Sequence, residues 1–123
     1  MSDKELKPKP QVYAFFFAAL QEVAKELGYN LLIHGSMNRD MDLVAVPWID
    51  DPADELTLIK ALHKCLTGET YEYQEQYLYS RLPGGRNSYA FNLNRGRISK
   101  IGQWKPYEDS QWYVDISVTP LVR

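Results

Sequence analysis

Two apolar runs stand only a few residues apart: "YNLLIHG", ending at Gly35, and "MDLVAVPW", beginning at Met41. That spacing constrains the fold more than any other feature of the chain. Too few residues separate the runs for a helix, so they are expected to be antiparallel neighbours joined by a short loop. Pro47 lacks a backbone N–H and should mark the end of the second strand. The loop carries Gly35 and Ser36, and Asp40 and Asp42 stand where the second strand begins. Strand side chains alternate, so Asp40 and Asp42 share one face while Met41 and Leu43 share the other. A tight turn needs its glycine. It does not need paired carboxylates aimed the same way.

The rest of the chain supplies helices and further strands. Val12, Phe15, Phe16, Ala19, Leu20, Val23 and Leu27 recur at three- and four-residue steps, which predicts a helix over Gln11–Leu27 with a wide aromatic face. Gly28 follows at the position of a left-handed cap. Residues 1–10 read as a charged, proline-ended tail, so the expected division is a tail over 1–10 and a single domain over 11–123. The segment "DDPADELTLIKALHKCLTG" predicts a second helix, capped at Asp51 or its neighbour, with Pro52 in the first turn and Gly68 as the stop. Its buried stripe is expected to hold Leu56, Ile59, Leu62 and Leu66, with His63 as a helix-face histidine and Cys65 as a small buried side chain. "TYEYQEQYLYS" alternates, so Tyr71, Tyr73, Tyr77 and Tyr79 are expected on one side of an extended segment. "LPGGR" predicts a turn, "NSYAFNLN" a returning strand, and "WYVDISVTP" a final strand. A short strand near Ile98–Ile101 is expected in the polar connection between them. This order predicts an α+β fold: a two-layer mixed β-sheet with helices packed on one face.

A formal net charge of -2 over 123 residues supplies no bulk attraction to nucleic acid or to an anionic membrane. No apolar run approaches the ~18 residues needed to span a bilayer. A single cysteine, Cys65, rules out an intrachain disulfide and fits a reducing compartment, so a cytoplasmic location is expected. The edge of the tyrosine-rich hairpin allows a homodimer. Tyr71, Tyr73, Tyr77, Tyr79, Trp104 and Tyr107, interleaved with Arg81, Arg86, Arg95, Arg97 and Lys100, offer stacking and phosphate contacts to single-stranded nucleic acid. The acidic balance opposes that reading, and a hairpin whose tyrosines cover the core explains the pattern more simply.

Asp115 interrupts the otherwise apolar last strand, and a lone buried carboxylate is costly without a partner. If that strand lies beside the one holding Asp40 and Asp42, the carboxylates meet on one face. Like charges that close need a compensating cation. Arg39 is one candidate. Mg²⁺, which takes one or two carboxylates together with substrate phosphates, is the other. Such a site is suited to phosphoryl or nucleotidyl transfer. The plainer readings are that Asp40 caps the turn or pairs with Arg39, Asp42 lies at a solvated edge, and Asp115 accepts backbone N–H groups. Arg86, in the turn, can meet a phosphate bidentately or be solvated. Histidine is a common general base, so His34 can act as a base or as a structural hydrogen-bonding group.

"GSMNRDMDLVAV" and "YVDISVTP" together resemble the signature of the DNA polymerase beta-like nucleotidyltransferase superfamily: Gly-Ser, then Asp-x-Asp opening a strand, then a later strand with one Asp. The resemblance implies that Gly35 and Ser36 present donors to nucleotide phosphates and that Asp40 and Asp42 hold metal ions. It also implies that Asp115 binds the catalytic metal and helps activate the attacking hydroxyl. "RDMDLVAVPW", "PGGR" and "DISVTP" also resemble small uncharacterised proteins of phages and prophages, which implies a phage-type origin. One departure bears on activity. Only Met37, Asn38 and Arg39 separate Ser36 from Asp40, which leaves no room for the helical turn whose N-terminus meets the triphosphate in active members. Two functions are therefore expected. The first is metal-dependent transfer of a nucleoside monophosphate to an acceptor. The second is a catalytically inert binding or regulatory protein on the same fold, acting through a partner protein.

Overall fold

The computed structural model describes residues 9–35, 40–92 and 113–120. Helix α1 (Lys9–Glu26) leads into β1 (Tyr29–His34) and β2 (Asp40–Pro47). Helix α2 (Glu55–Thr67) follows, then β3 (Leu78–Arg81), β4 (Asn87–Asn92) and β5 (Tyr113–Val118). Among the described residues the strands form one five-stranded sheet in the order β1-β2-β5-β4-β3. β1 and β2 are antiparallel neighbours, as their spacing requires. β5 runs parallel to β2 and antiparallel to β4, so the sheet is mixed and the last strand lies at its centre. The fold is α+β.

One face of the sheet is the core face. Leu31, Met41, Leu43, Ala45, Tyr89, Phe91, Val114, Ile116 and Val118 are buried there in one cluster with Tyr13, Leu20 and Ala24 of α1 and Leu58, Ile59 and Leu62 of α2. Both helices therefore cover the same side. Removing that much apolar surface from water is the main favourable term in folding. Strand alternation leaves Asp42, Val44, Asp115, Ser117 and Ser88 on the opposite face.

Several sequence expectations shift. α1 begins at Lys9 rather than Gln11, with Pro10 in its first turn, where a missing N–H is harmless. Its buried stripe runs through Tyr13, Leu20 and Ala24, with Phe17, Val23 and Leu27 partly covered. Phe15 is 77% exposed. The run Phe15–Phe17 puts an apolar side chain on several faces of the helix, so periodicity alone leaves the phase undecided. α2 is capped by Asp54, whose Oδ1 accepts the Thr57 N–H at 2.8 Å, and Asp51 and Pro52 precede the helix. Cys65 is exposed rather than buried. The stripe of α2 passes through Leu58, Ile59, Leu62 and His63, and position 65 falls off that arc.

The tyrosine segment departs most. Only Leu78–Arg81 is strand, and Gln74–Gln76 forms a 3₁₀ turn. The tyrosines do not share one side. Tyr77 is fully buried while Tyr73 is 61% exposed. The Tyr77 hydroxyl explains the turn. It accepts the Tyr71 backbone N–H at 2.7 Å and lies 2.8 Å from His63 Nδ1. That hydroxyl, with one proton and two lone pairs, hydrogen-bonds both groups, the direction of its bond to His63 Nδ1 following the imidazole tautomer. Burial pushes the His63 pKa down to about 4, against a smaller upward pull from Glu69. Two otherwise unsatisfied buried groups share one hydroxyl, and that holds the chain in a turn where alternation predicts a strand. The strand expected near Ile98–Ile101, with Arg95, Arg97, Lys100, Trp104 and Tyr107, lies outside the described residues. Among the described residues no helix is long and apolar enough to cross a membrane.

Candidate functional site

The register of three strand pairs builds the site. His34 on β1 stands opposite Asp42 on β2, Asp42 opposite Asp115 on β5, and Asp115 opposite Ala90 on β4. Directly opposed residues point to the same face. Asp42 and Asp115, 73 positions apart in the chain, are thus side by side on the face away from the helices. The next row reads Leu32, Val44, Ser117, Ser88 and Ser80 from β1 to β3. A band of hydroxyls therefore runs from the carboxylates toward the β3 edge.

An open pocket of about 360 Å³ lies over these rows. His34, Asp42 and Asp115 line one part of it. Ser88, Ser117 and Val44 line the middle, and Leu82 and Arg86 complete the wall. The volume is that of a small-molecule site, and the lining mixes apolar walls with a few convergent polar groups. Opposite charges share the pocket: carboxylates from β2 and β5, and the guanidinium of Arg86.

Each wall has a local cause. Ser88 is 6% exposed, and its hydroxyl donates to Asp115 Oδ1 at 3.1 Å. That bond fixes one carboxylate oxygen and orients the other. The Ser117 hydroxyl is buried and has no hydrogen-bond partner among the described residues. Gly35 has φ of +92°, and a Cβ added there would lie 3.3 Å from Asp42 Oδ2. Only glycine lets the backbone turn this way while approaching the carboxylate. Arg86 is placed by the Pro83–Gly85 turn, closed by the Leu82 N–H donating to the Arg86 carbonyl at 2.7 Å.

A polar cluster on the core face steadies β4 from behind. The Tyr89 hydroxyl donates to Glu55 Oε1 at 2.5 Å and accepts from Gln74 Nε2 at 2.6 Å. Asn87 Nδ2 donates to the same Glu55 oxygen at 3.0 Å, and Arg81 donates to Asn87 Oδ1 at 3.1 Å. Burial and the neighbouring Glu55 push the Tyr89 pKa up to about 12, so the phenol keeps its proton and remains a donor to Glu55.

Of the residues singled out in the sequence, His34, Asp42, Arg86 and Asp115 line this pocket, and Gly35 lies beside Asp42. Ser36 and Arg39 lie outside the described residues. Asp40 opens β2 opposite Tyr113, and its side chain is likewise outside the described set. Among the described residues no three His, Cys, Asp or Glu side chains gather as a metal-binding group. Ser88, Ser117, Val44 and Leu82 were not singled out by the sequence. A signal existed for Ser117, since it follows Asp115 by two positions in an alternating strand and must share its face. For Ser88 there was none, because its place depends on which strand β4 pairs with. Comparisons with protein-family models, with curated proteins and with solved structures return no match to this chain.

Proposed function

We propose that the open-face pocket is a nucleotide site, and that the protein is a nucleotidyltransferase-like enzyme moving a nucleoside monophosphate to an acceptor hydroxyl. The observation that carries the reading is the pairing of Asp42 with Asp115 on adjacent parallel strands, inside a pocket that also holds Arg86. Neighbouring strands are ~4.8 Å apart, so two carboxylates in register present hard oxygen donors at a spacing one divalent cation can bridge. The donor set fits Mg²⁺, with Asp42 and Asp115 as ligands and Asp40 as the further ligand the resemblance implies. A bound Mg²⁺ would neutralise charge on the phosphates and lower the pKa of an oxygen beside it.

The chain's own groups then divide the work. The Arg86 guanidinium binds a phosphate oxygen at the far side of the pocket. The Gly35 turn leaves room for phosphates beside Asp42. Ser88 orients Asp115 through Oδ1, and the Asp115 carboxylate takes the proton of the acceptor hydroxyl. The acceptor oxygen bonds to the α-phosphorus, the bond from that phosphorus to the bridging oxygen breaks, and pyrophosphate leaves with the electron pair.

Calorimetric titration of nucleoside triphosphates with Mg²⁺ or Mn²⁺ tests this. Metal-dependent binding by the wild type, lost in Asp42→Asn and Asp115→Asn, is the expected result. Absence of any metal-dependent nucleotide binding overturns it. A second reading, an inert binding or regulatory relative, draws on the four-residue link between Gly35 and Asp40, which is too short for a phosphate-binding helical turn. Its mark is a partner protein whose capture survives Asp42→Asn.

A further inference from the structure

We propose that β1 is a self-association edge: two copies pair antiparallel through it and join their sheets into one. Among the described residues the sheet has two edges, β1 and β3, and they are built differently. β3 is four residues long, its register slips between Leu78 and Ser80, and it carries Arg81. Short length, a bulge and a charge are devices that block edge pairing. β1 has none of them. It is six residues, Tyr-Asn-Leu-Leu-Ile-His, with unbroken register against β2 and no Lys, Arg, Asp, Glu or Pro. Leu32 and Ile33 on it are 53% and 42% exposed.

The direction of its backbone groups follows from three observations. The Trp48 N–H donates to the Gly28 carbonyl at 2.9 Å, so that opposed pair is a bonded one. Bonded and non-bonded pairs alternate in an antiparallel ladder, so Asn30, Leu32 and His34 face β2 while Tyr29, Leu31 and Ile33 present their N–H and C=O outward. Pro47, which has no N–H, stands opposite Tyr29, where none is needed. The Leu31 carbonyl, pointing outward on this count, accepts from Gln21 Nε2 of α1 at 3.1 Å. Among the described residues none pairs as a strand with this outer edge.

The occupant is a second copy because the edge is its own complement. The outward set Tyr29, Leu31, Ile33 is symmetric about Leu31. A two-fold axis there sets Leu31 against its copy and Tyr29 against Ile33 of the other chain. With no charged side chain on the strand, the antiparallel match brings no like charges together. Gln21 must release the Leu31 carbonyl to the partner strand, so it competes with association. A six-residue strand is ~20 Å long and covers less than the ~800 Å² per partner of a standard interface, so association belongs in the micromolar to millimolar range.

Sedimentation equilibrium from 10 μM to 1 mM on three chains tests the pairing. The wild type is expected to shift from monomer to dimer with concentration. Ile33→Pro removes one outward N–H and leaves the β1–β2 ladder whole. It is expected to stay monomeric, or to dimerise at least tenfold more weakly, with the strand content of the wild type by circular dichroism. Gln21→Ala, which frees the Leu31 carbonyl, is expected to dimerise several-fold more tightly. If Ile33→Pro loses its fold, Leu32→Lys, which adds a charge on an exposed side chain, takes its place with the same expected result. A wild type that remains monomeric at 1 mM overturns the proposal. So does dimerisation unchanged in Ile33→Pro or, if that variant does not fold, in Leu32→Lys.

Discussion

Lowering the pH should destabilise this protein through His63. The side chain is 2% exposed and packs at 4.7 Å against the Phe91 ring and at 4.8 Å against Tyr71, measured between ring centroids. Its Nδ1 is hydrogen-bonded to the Tyr77 hydroxyl at 2.8 Å, and protonating the ring buries a charge. The folded-state pKa is pushed down to about 4, against about 6.5 in an unfolded chain. The sign follows from proton counting. Between those values the unfolded chain binds a proton that the folded one refuses, so stability falls as pH falls. The contribution is intact above the unfolded pKa and is lost by pH ~4. At ~1.4 kcal/mol per pH unit, the loss comes to about 3 kcal/mol. That is a large share of a typical 5–15 kcal/mol domain stability. His63→Asn keeps an acceptor near the place of Nδ1 but cannot titrate. Urea unfolding of both chains at pH 7, 6, 5 and 4 isolates the effect from that of the carboxylates, which titrate in both. The wild type should lose about 3 kcal/mol more than the variant over this range. Parallel pH dependences would refute the argument.

Other substitutions test separate parts of the fold. Tyr77→Phe leaves His63 Nδ1 and the Tyr71 N–H without their shared partner. It should cost about 3 kcal/mol in urea unfolding at pH 7. Gly28→Ala forces a residue with φ of +95° to carry a Cβ 2.7 Å from Ile49 Cδ1 and 2.9 Å from Pro52 Cα. A loss of about 2–3 kcal/mol is expected in thermal unfolding. Asp54→Ala removes the bond to the Thr57 N–H and should cost about 1 kcal/mol, read as a lower urea midpoint with unchanged slope. Gly35→Ala, whose Cβ would sit 3.3 Å from Asp42 Oδ2, should weaken Mg²⁺-nucleotide binding by tenfold or more in the calorimetric titration.

Local chemistry was legible in the chain before any coordinates. The few residues between Gly35 and Met41 force β1 and β2 to be neighbours. The alternation of β2 sets Asp42 against Met41, and the glycine and prolines mark the ends of elements, because these are short-range steric and periodic effects. The phase of α1 was not legible, since three consecutive phenylalanines satisfy several faces and only the sheet selects one. Nor was the turn at Gln74–Gln76, where a buried histidine from α2 draws the Tyr77 hydroxyl inward and overrides alternation. The same distinction governs the site. The sequence by itself determined that Asp115 and Ser117 share one face of a strand, because side chains alternate along a pleated backbone. Only the tertiary structure decided that this strand inserts beside β2 and not at an edge, so that Asp115 meets Asp42 and Ser88. Strand pairing is a contact between distant segments, settled by which arrangement buries the most apolar surface at once, and no local stretch of residues carries that information.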